Sequence, residues 1–217
     1  MDRQHIENAA VRLDRALEDS NMDGFQKQLN ALKPCDQLAV VKELQKIAEK
    51  HHDKDANLPT VDFTECTNAK GKAVLAEVTT VKDRHNKYDD STDHETAKLT
   101  IDNATGKIQA LTRHEDSGVF QRDESTTYDS KGRILVEDVQ FSGAHFHNER
   151  EYDAKTGKVV HELSSTGQVG AEPMTVDKNY DPVTGKRVST DVHFPSGTNM
   201  HFDISHTATA ARAVKTH

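Results

Sequence analysis

The stretch Tyr152-Asp153-Ala154-Lys155-Thr156-Gly157-Lys158 has close copies at 101–107, 128–133 and 180–186. No other feature of this sequence constrains the fold as much, because each copy reads as a tight chain reversal. In the last copy, Asp181 stands where a type I turn favours Asp, and Pro182 follows where a fixed φ helps. Gly185 then falls where a four-residue loop needs a left-handed residue. The segments Asp102 to Gly106 and Asp153 to Gly157 fit the same loop. The copy at Asp129 is one residue shorter, and Ser130-Lys131-Gly132 suits a three-residue loop with a glycine bulge.

Closing the loops in this way sets the strand register. The innermost pairs are Asp102–Lys107, Asp129–Arg133, Asp153–Lys158 and Asp181–Lys186, each an acid opposite a base. The next pairs outward are Ile101–Ile108, Tyr128–Ile134, Tyr152–Val159 and Tyr180–Arg187. The first three are apolar or aromatic pairs, each stabilising a ladder by roughly 0.2–1 kcal/mol. The fourth departs from the pattern, and a slip of one residue brings Val188 into the place of Arg187. An Asp that precedes a turn and faces a base in every copy is a structural residue before it is a ligand or a catalyst.

Further turn signals stand between the copies, at Ser117-Gly118, Ser142-Gly143, Thr166-Gly167 and Ser196-Gly197. Each lies ten to twelve residues beyond the preceding repeat glycine, so one repeat is two hairpins with a period of 24 to 28 residues. The expected fold is mainly β with an N-terminal helical segment. It is an antiparallel meander of repeated hairpins, an open or partly wrapped sheet, with two to three helices docked on it.

The helices announce themselves by a different period. Over residues 2–20, Ile6, Ala10, Leu13 and Leu17 fall on one stripe. Asp23 is the expected N-cap of a second helix carrying Phe25, Leu29 and Leu32, which Pro34 stops. Asp36 is the expected cap of a third, with Leu38, Val41, Leu44 and Ile47 as its apolar stripe and fraying at His51-His52. A segment this short makes a marginal core alone, so the helices are expected to dock on the sheet. A partner-binding helix pair is the other use of the same stripes. The expected organisation is a helical segment over 1–52, a linker over 53–60, the meander over 61–206 and a frayed tail over 207–217. Residues 83–93 read as a long polar loop, the place for any function carried by a loop.

The strands themselves are unusually polar. Residues 120–127 have almost no apolar face. In the run 145–152, His145, His147, Glu149 and Glu151 alternate with Phe146, Asn148, Arg150 and Tyr152. With 34% hydrophobic residues and no Trp, no large two-sided core is available, and the sheet is expected to be wet on much of both faces. The net charge of −8 disfavours nucleic acid, which needs a basic surface. Ten His residues follow residue 57 and add positive charge below about pH 6.5. Cys35 and Cys66 make no disulfide framework. No apolar run suggests a signal peptide or a membrane span, so the expected location is cytoplasmic, or exported without a classical signal.

The run Tyr128-Asp129-Ser130-Lys131-Gly132-Arg133-Ile134 resembles the tyrosine–aspartate (YD) repeat of Rhs-type proteins. The copies at Tyr152 and Tyr180 are similar, with one more spacer residue and Lys for Arg, and the copy at 101 has Ile for Tyr. The resemblance covers residues 94–205. It implies β-sheet repeats with binding or encapsulating roles and no catalytic residues.

No phosphate loop, dinucleotide fingerprint, nucleophile elbow or paired-Cys zinc motif is present. The best constellation is His145 and His147, which alternate on one strand face with Glu149 and Glu151 and chelate a divalent metal if a third ligand joins them. His51, His52, Asp53 and Asp55 form a second candidate metal group. His193 and His201 flank the last turn and face each other if its loop has three residues. The expected function is a non-catalytic binding or scaffold protein that presents a broad polar sheet to a protein or glycan surface, with Tyr128, Tyr152, Tyr180, His193 and His201 as candidate contacts. One alternative is a metal-assisted hydrolase built on His145, His147 and nearby acids. Another is a partner-neutralising, immunity-like protein whose acidic surface masks a basic partner. Apart from that divalent metal no cofactor is expected, and unpaired sheet edges offer a route to a homodimer.

Overall fold

A computed structural model of the chain describes residues 1–85 and 91–204. Three helices come first: α1 (Arg3–Glu18), α2 (Met22–Ala31) and α3 (Pro34–His52). The strands follow as β1 (Thr60–Thr67), β2 (Ala73–His85), β3 (Thr92–Ile101), β4 (Ile108–Asp116), β5 (Gln121–Tyr128) and β6 (Ile134–Phe141). Then come β7 (Ala144–Tyr152), β8 (Val159–Gln168), β9 (Met174–Tyr180), β10 (Arg187–His193) and β11 (Asn199–Asp203). The strand order in the sheet is the order in sequence, β1 to β11, and the fold is the expected antiparallel meander, with β1 and β11 as the end strands among the described residues. The chain divides into two compact units, Met1–His147 and Asn148–His217.

The repeat turns close as their residues dictate. The Asp102 N–H donates to Lys107 O at 2.8 Å, and the corresponding bonds join Asp129 to Arg133, Asp153 to Lys158 and Asp181 to Lys186 at 2.8–2.9 Å. The returning bonds, from Gly106, Gly132, Gly157 and Gly185 N–H to the turn Asp carbonyls, span 2.7–2.9 Å. All four glycines have positive φ, between 70° and 79°. Ile101 pairs with Ile108, Tyr128 with Ile134 and Tyr180 with Arg187. The register then shifts in each of these ladders, so Gln109, Leu135 and Val188 are bulged residues. Val188 therefore takes no place opposite Tyr180; it is passed over.

The acid–base pairs carry the expected register but not, in general, the expected ion pair. Only Asp129 holds its base, with Arg133 at 2.5–2.7 Å. The Asp102 carboxylate instead accepts from Thr105 N–H at 2.6 Å and Thr105 Oγ1 at 2.7 Å, and Asp181 repeats this with Thr184. Asp153 accepts from Lys155 and Thr156 N–H. A short side chain one bond from its own turn reaches the loop N–H groups more easily than a lysine across the ladder. Two of the freed lysines find carbonyls: Lys107 Nζ donates to Asn30 O at 3.0 Å, and Lys158 Nζ donates to Val183 O.

Several sequence expectations need correction. The cap of α2 is Asn21, whose side chain accepts from Gly24 N–H at 2.8 Å, and Asp23 lies in the first turn. Pro34 does not merely stop α2; it begins α3 at the first helical position, where its missing N–H costs nothing, and Asp36 follows inside that turn. Gly167 lies within β8, and the reversal falls at Gly170, with φ 83° and Ala171 N–H bonded to Gln168 O. Within the polar run at 83–93, residues 83–85 and 92–93 are strand: Asp83 pairs with His94, Arg84 with Asp93 and His85 with Thr92. Residues 86–90 of that run, and the tail over 207–217, lie outside the described residues.

The core sits between the helices and the first strands. Leu13, Leu17, Phe25, Leu29, Val41 and Leu44 are buried in one cluster with Val61, Val78, Leu99, Ile101, Ile108 and Leu111. The helices thus dock on the sheet, as their stripes require. Among the described residues no buried hydrophobic side chain follows Leu111, which leaves β5 to β11 without an apolar core.

Candidate functional site

The pairings of the first unit assign the faces of the sheet. One row runs Phe63, Val78, Leu99, Leu111, Thr126 and Glu137 across β1 to β6. Its apolar members pack with the helices. Because side chains alternate along a strand, the neighbouring residues point the other way. They form the rows Thr79, Lys98, Thr112, Ser125, Asp138 and Thr96, His114, Asp123, Gln140. These two rows, with His145, line a groove of about 600 Å³ on the face away from the helices. Its walls are hydroxyls, carboxylates, an amide, imidazoles and the methyl groups of threonines.

The charges segregate by face. In the first unit His94 meets Asp83 at 2.5 Å, His114 meets Asp123 at 2.7 Å and His147 meets Asp138 at 2.6 Å, all on the groove face. Lys98–Glu77, at 2.7 Å, shares that face. On the helix face, Arg113 reaches Glu95 and Glu115 at 2.8 and 2.7 Å, and Arg122 reaches Glu124 at 3.0 Å. The second unit repeats the division within itself. Arg150 and Lys178 share Glu162 on one face, at 3.2 and 2.5 Å. His161 meets Asp177 at 3.0 Å and His201 meets Asp191 at 2.5 Å on the other. Burial opposes ionisation of Glu162, but hydrogen bonds from Lys178 and Arg150 outweigh it and hold the carboxyl below its ordinary value. The Asp191 hydrogen bond, joined by Asp203, raises His201.

The residues singled out in the sequence are placed unevenly. His145 and His147 do converge, both on Asp138 Oδ1, at 3.4 and 2.6 Å. Tyr128 is turned toward the helices: it packs against the core and bonds the Gln26 side chain. Tyr152 and Tyr180 end β7 and β9 and are partly exposed. His193 bonds Asn199 Oδ1 at 2.8 Å and does not face His201. The loop there is closed one residue earlier than the expected register, by Phe194 and Thr198, which moves every cross-strand partner by two and puts Asp191 opposite His201.

The group His51, His52, Asp53, Asp55 does not assemble. His52 bonds Leu58 O at 2.7 Å, and Asp55 accepts from Asn57 N–H. His51 turns instead to α1, where its Nδ1 lies 2.9 Å from Asp14 Oδ2 and 3.0 Å from Glu18 Oε1. Among the described residues, Asp14, Glu18 and His51 are the group of ligand atoms close enough to share one metal ion. The spacing of Asp14 and Glu18, one helical turn apart, was visible in the sequence. Their partner on α3 was not, because helix packing alone decides it.

No helix among the described residues is long and apolar enough to cross a membrane. No protein-family model matches the chain, and no curated protein matches it.

Proposed function

We propose that the protein is a non-catalytic binding protein that holds a hydroxyl-rich ligand, a glycan, in the groove on the helix-free face of its first unit. The observation that carries this reading is the pair of parallel polar rows across β2 to β6, Thr79 to Asp138 and Thr96 to Gln140. Carboxylates such as Asp123 and Asp138 accept from neighbouring sugar hydroxyls, Gln140 and Lys98 donate, and the threonine methyls meet C–H faces. The groove offers no apolar anchor pocket of the kind that dominates protein–protein interfaces. It also lies across the sheet rather than along an edge, which separates it from strand addition. The resemblance to YD repeats agrees with a binding role.

Calorimetric titration of the full chain with a panel of soluble oligosaccharides tests the proposal. Binding by the wild type that disappears in Ser125→Trp, a change that fills the groove at its half-buried floor, supports it. A panel without any binder, or binding that Ser125→Trp leaves intact, rejects it. A second reading, a metal-assisted hydrolase, is favoured by the meeting of His145 and His147 at Asp138. It requires zinc-dependent hydrolysis that His147→Ala abolishes, and no activity with ester, peptide or glycoside substrates removes it.

A further inference from the structure

We propose that Asp14, Glu18 and His51 form a binding site for one divalent transition-metal ion, zinc foremost, that ties the last turns of α1 and α3 together. The site is distinct from the groove and does not rest on the reading given to it. Asp14 and Glu18 stand one turn apart on α1, and His51 comes from the end of α3. One ligand atom from each residue lies within 4.8 Å of the other two. The imidazole Nδ1 is 2.9 Å from Asp14 Oδ2 and 3.0 Å from Glu18 Oε1. A tetrahedral zinc ion with bonds of about 2.0–2.1 Å sets its ligand atoms about 3.3–3.4 Å apart. The two imidazole–carboxylate distances therefore need to open by only a few tenths of an ångström.

Charge and burial point the same way. The Asp14 side chain is 5% exposed, whereas those of Glu18 and His51 are 33% and 36% exposed. The buried carboxylate is thus held inside while the other two ligands face solvent, which gives an ion a path in and a water as fourth ligand. The hydrogen-bonding partner of Asp14 is an imidazole rather than a permanent cation. Lys82 places its Nζ at the end of α1, on Glu18 O and Ser20 Oγ at 3.4 and 3.0 Å, a backbone carbonyl and a hydroxyl. With a neutral imidazole the group carries two negative charges, which a divalent ion cancels. Burial raises the Asp14 carboxyl, with His51 opposing the rise and the Glu18 charge adding to it. One imidazole with two carboxylates and no thiolate suits zinc, cobalt or nickel better than calcium, which wants six to eight oxygens.

The test is calorimetric titration of the metal-free full-length protein with Zn²⁺, supported by the visible absorption of Co²⁺. Glu18→Gln preserves shape at a part-exposed position, and its folding is checked by circular dichroism. The expected result is one ion per chain, affinity at least tenfold weaker in Glu18→Gln, unchanged affinity in the His145→Ala/His147→Ala double variant, and a Tm that rises with Zn²⁺ only where Glu18 is intact. A flat wild-type titration overturns the proposal and leaves Asp14, Glu18 and His51 as an ion-paired latch. Undiminished binding by Glu18→Gln, or binding abolished by the double variant, also overturns it.

Discussion

Gly106 and Gly132 hold the same place in two copies of the repeat, yet their surroundings differ. A Cβ at Gly132 meets nothing within 4 Å, whereas one at Gly106 lies 2.7 Å from Gln37 Oε1 and 2.8 Å from Pro34 Cγ. The Gln37 side chain is buried, donating to Leu29 O at 3.0 Å and Gly106 O at 2.7 Å, so this one turn is clamped to the junction of α2 and α3. Both substitutions to Ala force an L-residue into left-handed backbone, at about 1–2 kcal/mol. Gly106→Ala also overpacks the clamp, adding about 1–3 kcal/mol. Urea unfolding of the two variants is expected to show Gly106→Ala as clearly the less stable, and equal losses would contradict the docking of this turn.

At the scale of the element, each hairpin is a turn whose carboxylate serves its own loop. Hydrogen bonds from Thr105, Thr156 and Thr184 hold Asp102, Asp153 and Asp181 below the ordinary carboxylate range. Burial works against Asp129, but bonds from Arg133 lower it too. A carboxyl depressed by folding adds stability that is present above its unfolded pKa and lost as pH falls through its folded value. Carboxyl-carbon NMR titration is therefore expected to show these four aspartates protonating below the ordinary carboxylate range, as Asp116 also does, with turn signals changing together as they do. If they titrate with ordinary exposed carboxyls, the loop bonds do not persist in solution. The ladders between turns divide their charges by face, with His–Asp pairs on one and mostly Arg or Lys with Glu on the other.

At the scale of the whole molecule, the buried apolar side chains among the described residues lie in the helices and the strands that carry Val61 to Leu111. Burial of apolar side chains stabilises by roughly 1.5–3 kcal/mol each, whereas exposed ion pairs contribute about 0–1 kcal/mol. Local opening is therefore cheap where only ladders hold the strands together. Amide hydrogen exchange is expected to be slow in α1, α3 and β1 to β4 and much faster in β8 to β11, despite their continuous pairing. Uniform protection across the sheet would show that the polar ladders stabilise more than this argument allows.

What the sequence determined by itself was local. An Asp, a spacer and a glycine that tolerates positive φ close a turn wherever they occur, so the meander and its register at Ile101–Ile108, Tyr128–Ile134 and Tyr180–Arg187 were legible without knowledge of the rest of the chain. The helix stripes were legible for the same reason, and so was the scarcity of core in the later strands. The bulges at Gln109, Leu135 and Val188 were not, nor was the turn at Gly170 in place of Gly167, because each depends on how the next strand closes its hydrogen bonds. Only the tertiary structure decided that Tyr128 belongs to the helices, that Gly106 is clamped while Gly132 is free, and that His51 meets Asp14 and Glu18. Alternation along a strand sorts side chains into two faces, but which face becomes a groove depends on where the helices bury their stripes, and that is set by contacts between residues far apart in the chain.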